Sequence, residues 1–206
     1  MAWGADGNIT PIVFMEFSVT GSSINIIQEL NKVLTPEQVA VDRASLETYG
    51  QDWTRFTTPA PTAIVFPRKT TDVVAIVECA RRYQFALVPS GGRTGLSGGA
   101  CAANGEVVVS MDKMNAISAV NLTDRTVTVG AGAITQNVQQ VAKDADLFYP
   151  VDFASSGSSQ IGGNIATNAG GINVIRYGMT REWVAGLTVV TGKGEVLELN
   201  KGLMKN

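Results

Sequence analysis

Apolar residues recur at helical spacing in three stretches of the chain. Within residues 71–83, Val73, Ile76, Val77 and Ala80 stand at positions i, i+3, i+4 and i+7, which places them on one face of a helix. The same spacing predicts two further helices, one running from a cap at Ser22 or Ser23 to about Leu34 and one over residues 134–145.

Short apolar runs bounded by turn-forming residues predict strands in the rest of the chain. They cover residues 63–66, 85–88, 107–110, 116–120 and 126–129. Two more strands, at residues 187–191 and 195–199, flank the sequence Gly192-Lys-Gly194, which is typical of a β-hairpin.

The order of these elements predicts an α+β fold. Because most strands are separated by short turns, we expect them to pair with their neighbours in sequence rather than to form an alternating βαβ array. Residues 40–62 are polar and rich in Thr and Pro, and we expect them to be irregular.

Glycine is the residue whose frequency changes the interpretation. The chain has 22 glycines among 206 residues, where about 7% is average usage. Five lie within residues 91–99 and six within residues 157–178. Glycine concentrated in two places is typical of backbone that must approach something closely.

Charge and composition exclude several classes of function. A net charge of −2 gives no electrostatic attraction to nucleic acid. With no histidine, the chain lacks Ser-His-Asp or Cys-His catalysis and any His-ligated metal, and we expect no metal site. No apolar run reaches the roughly 18 residues of a membrane span. The apolar run at residues 12–19 is short and contains Glu16, so we expect that it is not a signal peptide. Cys79 and Cys101 lack a CxxC spacing and are expected to be free thiols, so we expect a cytoplasmic protein.

The first candidate site is the sequence PSGGRTGLSGG at residues 89–99, which follows a predicted strand. In such a loop, consecutive backbone N–H groups can point at one place and bind an anion, and Thr94, Ser97 and Arg93 add hydroxyls and charge. It has neither the lysine of a P-loop nor the GxGxxG spacing of a Rossmann fold. The loop indicates a nucleotide site of another kind; the alternative is a flexible surface loop.

The second candidate site is the sequence QIGGNIATNAGG at residues 160–171. Small residues fill most of its positions, which suits a backbone lying flat against a planar or extended ligand. Asn164, Thr167 and Asn168 offer amide and hydroxyl groups for hydrogen bonds. The alternative is a helix whose small residues pack tightly against the protein itself.

Together, these motifs resemble a known family. The two sequences above, followed by Arg176-Tyr-Gly178 and by WVAGLTVV at residues 183–190, resemble the FAD-binding domain of the vanillyl-alcohol-oxidase (PCMH-type) flavoprotein superfamily. The nearest branch is that of glycolate oxidase flavin subunits, D-lactate dehydrogenases and D-2-hydroxyglutarate dehydrogenases. The resemblance implies a fold of two α/β lobes and FAD as cofactor. The cofactor-binding residues it implies are Ser90, Gly91, Gly92, Arg93, Thr94, Gly95 and Ser97 in the first loop, Ile161, Gly162, Gly163, Asn164, Thr167 and Gly171 in the second segment, and Gly178 and Val184 beyond it.

The resemblance also implies a domain organisation. Residues 1–20 stay unassigned, residues 21–62 form an N-terminal helix and an irregular segment, and residues 63–206 form an FAD-binding domain. Family members are about twice as long, and their second half binds the substrate, so we expect that half to be missing here.

The departures from the family pattern limit what can be assigned. Some members attach FAD covalently through a histidine in or near the first loop; Arg93 stands at the comparable place, so noncovalent FAD is expected. The implied reaction is oxidation of a 2-hydroxy acid by hydride transfer to the flavin, with an electron-acceptor protein or a quinone reoxidising it. No catalytic residue is assigned. Three alternatives are a cofactor-binding remnant without turnover, the FAD subunit of a molybdenum hydroxylase, and a UDP-N-acetylenolpyruvylglucosamine reductase.

Overall fold

The computed structural model describes residues 25–54 and 56–200. Its helices are α1 (Ile26–Val33), α2 (Arg43–Tyr49), α3 (Thr70–Tyr83), α4 (Thr135–Asp144), α5 (Ile161–Thr167) and α6 (Val174–Tyr177). Its strands are β1 (Val39–Ala40), β2 (Ala63–Val65), β3 (Leu87–Ser90), β4 (Val107–Ser110), β5 (Gly186–Val190) and β6 (Val196–Asn200). Single turns of 3-10 helix lie at Pro36–Gln38, Met111–Lys113 and Thr180–Trp183.

The main sheet has the strand order β1-β2-β4-β3. Strand β4 pairs in parallel with both β2 and β3, and β1 pairs antiparallel with β2. Strands β1 and β2, and strands β3 and β4, pair as sequence neighbours, as predicted. The prediction is wrong for β2 and β3, because β4 lies between them. A strand in that position is covered on both faces, which agrees with the uninterrupted Val-Val-Val-Ser sequence of β4.

Helices cover both faces of this sheet, α1 and α3 on one face and α2 on the other. Leu30 of α1 and Ile76 of α3 pack with Val65 and Val107 on one face. On the other face, Leu46 and Tyr49 of α2 pack against a second cluster that includes Ile64 and Val108.

Two of these helices differ from the sequence predictions. Helix α1 begins at Ile26 with Asn25 as its cap, and the predicted caps Ser22 and Ser23 lie outside the described residues, as does the unassigned segment 1–20. Helix α2 lies in the segment predicted to be irregular; Asp42 caps it by accepting a hydrogen bond from the Ser45 N–H at 3.0 Å.

The predicted strands at residues 116–120 and 126–129 are reduced to single bridges between Ile117 and Val129 and between Asn121 and Thr126. The Asn121 side chain accepts hydrogen bonds from the N–H groups of Thr123 and Asp124, which favours a tight turn over a longer ladder. Ile117 and Val129 nevertheless pack against α4 and α5 in a third apolar cluster.

The last two strands confirm the predicted hairpin. Strands β5 and β6 pair antiparallel from Gly186–Asn200 to Val190–Val196, and Gly194 turns the chain with φ +84°. The predicted α+β fold of mixed strands and packing helices is also confirmed. Among the described residues, no helix combines the length and apolar character needed to span a membrane.

Candidate cofactor site

The first glycine loop lies at the carboxyl edge of the parallel strands. Strand β3 ends at Ser90, which is paired with Ser110 at the end of β4, and the loop begins at the next residue. The turn Met111–Lys113 follows β4 directly. Neighbouring parallel strands end at the same edge of a sheet, so Gly91 and Asp112 lie at the same edge of this one. Ligands bind at this edge in many open α/β sheets.

The second glycine segment contacts this loop. A Cβ atom built on Gly92 would lie 2.1 Å from the Ser158 carbonyl oxygen, and one built on Gly91 would lie 3.5 Å from Gln160 Oε1 and 3.9 Å from Gly163 Cα. The two motifs, some 60 residues apart in sequence, therefore meet at one edge of the fold.

Gly92 and Gly95 of the first loop have different surroundings. Neither has a positive φ; in this part of the loop it is Arg93 that does, at +57°. Gly92 is required by the chain itself, because its Cβ would overlap backbone of Ser158 and Ser159. Around Gly95, Asp52 Oδ2 is the one atom of the described residues that lies within 4 Å of such a Cβ, at 3.8 Å.

The Arg93 side chain turns back into the protein. Its guanidinium donates to the Gly91 carbonyl at 3.1 Å, lies 3.6 Å from Asp112 Oδ1, and covers the Tyr49 ring at 4.4 Å from the centroid. Tyr49 donates its hydroxyl to Asp112 Oδ2 at 3.0 Å, and Gln160 Nε2 donates to Asp112 Oδ1 at 2.7 Å. Burial, then the nearby Asp112 carboxylate, raises the pKa of Tyr49, so its hydroxyl keeps the proton that it donates.

The sequence interpretation missed Tyr49, Asp112 and Gln160. Their only signal is positional: Asp112 follows a buried strand at the edge where the first loop begins, and Gln160 precedes the second glycine pair. The pairing of β3 with β4 has to be known before that signal can be interpreted.

Asp52 lies on the other side of the first loop. Its Oδ1 accepts hydrogen bonds from the Thr54 N–H at 2.8 Å, the Thr54 hydroxyl at 2.6 Å and the Cys101 thiol at 3.4 Å. Burial acts to raise the pKa of Asp52, but these hydrogen bonds outweigh it and leave the pKa below its ordinary value. Asp52 also borders a cleft of about 240 Å³, whose other lining residues are Thr48, Gln51, Trp53, Gly92, Arg93, Thr94 and Ser158.

Three buried polar atoms around this loop have no hydrogen-bond partner among the described residues. They are Asp52 Oδ2, Ser90 Oγ and Gln160 Oε1. Such an atom costs about 1–3 kcal/mol. The residues beside the first loop therefore have hydrogen-bonding capacity that residues 25–54 and 56–200 do not use.

The second segment forms helix α5, which has a packed face and an open face. A Cβ on Gly162 would lie 2.8 Å from Ala131 Cβ, whereas a Cβ on Gly163 would meet nothing within 4 Å. Asn164 is buried, and its amide donates to Thr135 Oγ1 at 2.6 Å. The alternative of a tightly packed small-residue helix therefore describes the Gly162 side of α5 and leaves Gly163 facing open space.

Most of the other predicted cofactor contacts have structural partners. Ile161 packs in the core beside α4, and the Thr167 hydroxyl donates to the Gly163 carbonyl at 2.9 Å. Gly171 has φ +130°, and a Cβ there would lie 2.1 Å from the Asp152 carbonyl oxygen. Gly178 has φ +76° and packs against Glu182, while Val184 follows the turn Thr180–Trp183. In the first loop, Thr94 is half-buried and Ser97 is exposed. As cofactor contacts, all these residues stay predictions.

Comparison with protein families decides what kind of domain this is. A family described as an FAD binding domain matches residues 61–200. The chain belongs to this FAD-binding domain family. The resemblance drawn from the two glycine motifs is thereby confirmed, and the match contains both motifs.

Curated relatives of this FAD-binding domain include three kinds of enzyme. A D-2-hydroxyglutarate dehydrogenase of Stutzerimonas stutzeri (strain A1501) is 61% identical over 181 residues, which are 88% of this chain and 39% of that protein. Glycolate oxidase subunit GlcD of Bacillus subtilis (strain 168) is 33% identical, over 88% of this chain and 39% of that protein. A D-lactate dehydrogenase of Anaerostipes hadrus is 31% identical, over 96% and 38%. The chain thus spans less than two fifths of the length of these relatives.

Solved structures share the fold of this FAD-binding domain. An alkyldihydroxyacetonephosphate synthase aligns with a TM-score of 0.77 at 23% identity, covering 86% of this chain and 38% of the other. A Physcomitrella patens protein, BBE-like 1, aligns with a TM-score of 0.73 at 23% identity, covering 86% and 38%.

Proposed function

We propose that this chain is the FAD-binding portion of an FAD-dependent oxidoreductase that oxidises a 2-hydroxy acid. The observation that carries the proposal is the meeting of two glycine motifs at the carboxyl edge of a parallel sheet, within a domain of the FAD-binding family. The substrate class rests on the names of the relatives, which are D-2-hydroxyglutarate dehydrogenase, glycolate oxidase subunit and D-lactate dehydrogenase.

The residues present fit the cofactor. Gly163 leaves space on α5 that no atom of the described residues fills, and three buried polar atoms beside the first loop have no hydrogen-bond partner there. In the proposal, the first loop (Ser90 to Gly95, with Ser97) holds the pyrophosphate through backbone N–H groups and hydroxyls. Helix α5 and the segment near Gly178 and Val184 line the rest of the FAD.

When bound, FAD supplies the two-electron redox chemistry, and the protein supplies binding and orientation. The main role of Arg93 in the proposal is to fix the shape of the first loop. Its charge is already paired with Asp112, and its guanidinium donates a hydrogen bond to the Gly91 carbonyl. At Gly163, the open face of α5 presents backbone without a side chain, which lets a flat group approach closely and exclude water.

We expect FAD to bind without a covalent bond, because the chain has no histidine to attach it. Titration of the purified chain with FAD should quench the flavin fluorescence to saturation at one FAD per chain. Acid precipitation of the loaded protein should then leave a yellow supernatant and a colourless pellet.

Two outcomes would count against this part of the proposal. If the quenching does not saturate, the chain does not bind FAD. A yellow pellet would show a covalent link; repeating the precipitation with Cys101→Ser would tell whether that half-buried thiol carries it.

In the complete enzyme, we propose, the substrate's carbon-bound hydrogen passes to the flavin as hydride while a base removes the hydroxyl proton. An electron-acceptor protein or a quinone then reoxidises the flavin. The residues that bind and deprotonate the substrate are proposed to lie outside these 206 residues. The second candidate is a chain that binds FAD without any turnover.

We expect the FAD-loaded 206-residue chain not to oxidise D-2-hydroxyglutarate, D-lactate or glycolate. A positioned base contributes about 10²–10⁴-fold to such a rate, and the chain contains no histidine to serve as one. The measurement is anaerobic bleaching of the flavin absorbance with each acid, with dithionite as the control that the bound flavin can be reduced. Bleaching within minutes that grows with substrate concentration would place an adequate base and carboxylate site inside the chain.

We propose that the protein is cytoplasmic. Both cysteines are free, and free thiols favour a reducing compartment, which supports a cytoplasmic location. We also propose domain boundaries after residues 20 and 62. Helix α1 packs in the core of the domain that follows residue 62, and β1 belongs to its sheet.

A further inference from the structure

Three distant parts of the chain meet at the Asp112 carboxylate. Tyr49 at the end of α2 and Gln160 before α5 each donate a hydrogen bond to it, and Arg93 of the first loop lies within ion-pair distance. Asp112 itself sits in the turn after β4, where the Ser110 hydroxyl accepts its N–H at 3.4 Å. The carboxylate therefore connects both glycine motifs to the central strand of the sheet.

An ionised carboxylate only accepts hydrogen bonds, and this fixes how Gln160 is oriented. The Gln160 amide must turn its Nε2 toward Asp112, which leaves its Oε1 facing Gly91 of the first loop. That Oε1 is one of the buried atoms without a partner among the described residues. Asp112 thus decides which end of the amide is presented to the gap between the motifs.

The same carboxylate supports an unfavourable backbone conformation. Arg93 has φ +57°, in the left-handed region that side chains other than Gly and Asn seldom adopt. Contacts with Asp112, the Gly91 carbonyl and the Tyr49 ring hold the side chain, and a backbone of this kind persists only where its surroundings over-determine it. Such conformations cluster at binding sites.

We propose that Asp112 is a positioning residue of the FAD site, which fixes the first loop and the start of α5 relative to each other. It acts through Arg93 and Gln160 and makes no contact with the cofactor itself. The proposal rests on the proposed function, because it presumes that the two motifs hold FAD together.

The sign of one measurement separates positioning from simple electrostatics. Asp112→Asn removes a negative charge beside a site for the anionic pyrophosphate, so a purely electrostatic role predicts tighter FAD binding. A positioning role predicts weaker binding, by about tenfold or more, because the Gln160 amide and Arg93 lose a charged acceptor. The FAD dissociation constant is measured by fluorescence quenching, beside the melting temperature of the apo chain. Asp124→Asn, an exposed turn residue, is the matched control.

A reciprocal exchange tests the link to Gln160. Gln160→Glu sets two carboxylates against each other and should weaken FAD binding by about tenfold or more. Adding Asp112→Asn lets the new amide donate to the new carboxylate, so the double variant should recover most of the lost affinity. Loss in each single variant with recovery in the double variant supports the proposal, and this pattern is a strong non-additivity.

Three results would overturn it. One is wild-type or tighter FAD binding by a folded Asp112→Asn variant, and another is a double variant no better than Gln160→Glu. If Asp112→Asn fails to fold, Gln160→Met becomes the test, and wild-type affinity there is the third. Absence of FAD binding by the wild-type chain would instead refute the proposed function, so the two failures are distinguishable.

Discussion

Replacing Gly163 with alanine is expected to weaken FAD binding at least about tenfold, which is about 1.4 kcal/mol, without destabilising the apo chain. A Cβ at this position meets nothing within 4 Å, so the chain itself has room for it. Alanine is also about 0.8–1.0 kcal/mol better than glycine inside a helix. The new methyl group would occupy the open face of α5, where the proposal places the cofactor. The measurements are the FAD dissociation constant and the melting temperature of the apo chain.

Gly162→Ala is the matched control for that experiment. It adds the same methyl group one residue earlier, where the Cβ would lie 2.8 Å from Ala131 Cβ and 3.0 Å from the Ala131 carbonyl oxygen. Overpacking of this kind costs about 1–3 kcal/mol, so the melting temperature should fall, by about 2–4 °C per kcal/mol. If Gly163→Ala kept wild-type affinity for FAD, the open face of α5 would not be a cofactor surface.

Gly92→Ala is expected to cost the apo chain more than about 3 kcal/mol of unfolding free energy, through the overlap it creates in a packed contact. The added Cβ would lie 2.1 Å from the Ser158 carbonyl oxygen and 2.9 Å from Ser159 Cα. Both neighbours are backbone, so no flexible side chain can move aside. Urea unfolding followed by circular dichroism should show a lower midpoint, and the separation of the two motifs should also weaken FAD binding.

Gly95→Ala provides the comparison within the same loop. Its Cβ would lie 3.8 Å from Asp52 Oδ2, an ordinary contact, so the urea midpoint should stay close to that of the wild type. A drop in FAD affinity with an unchanged midpoint would support close approach of the pyrophosphate to Gly95. Equal midpoints for Gly92→Ala and wild type would contradict the contact with Ser158.

Sequence patterns predicted the elements with dense apolar periodicity. Helix α3 was predicted to within one residue of its start, and the β5–β6 hairpin was predicted from the glycines around Lys193. Helix α2 was missed because its sequence has few apolar positions, of which Leu46 and Tyr49 gain their packing from distant residues. Contacts with distant residues cannot be predicted from the local sequence.

In the candidate site, too, some features could be predicted from the sequence and others could not. Both glycine motifs were visible in the sequence because glycine is rare enough for clusters to stand out. Asp112 was not, since a single carboxylate acquires meaning only when β4 is known to pair with β3. The contact of Gly92 with Ser158 could not be predicted either, because it depends on two loops that meet only in the folded chain.

The position of β4 in the sheet has a consequence for how the chain is made. Strands β2 and β3 both leave the ribosome before β4, yet neither has the other as a hydrogen-bonding partner. Until residue 107 emerges, β2 can pair only with β1, and β3 has no strand to pair with. The glycine loop between β3 and β4 then has no fixed edge from which to project. Parallel pairing across such a span closes late, because loop entropy must be overcome first. The parallel part of the sheet and the candidate binding loop should therefore form in a single step, and the nascent chain has no binding loop before that step.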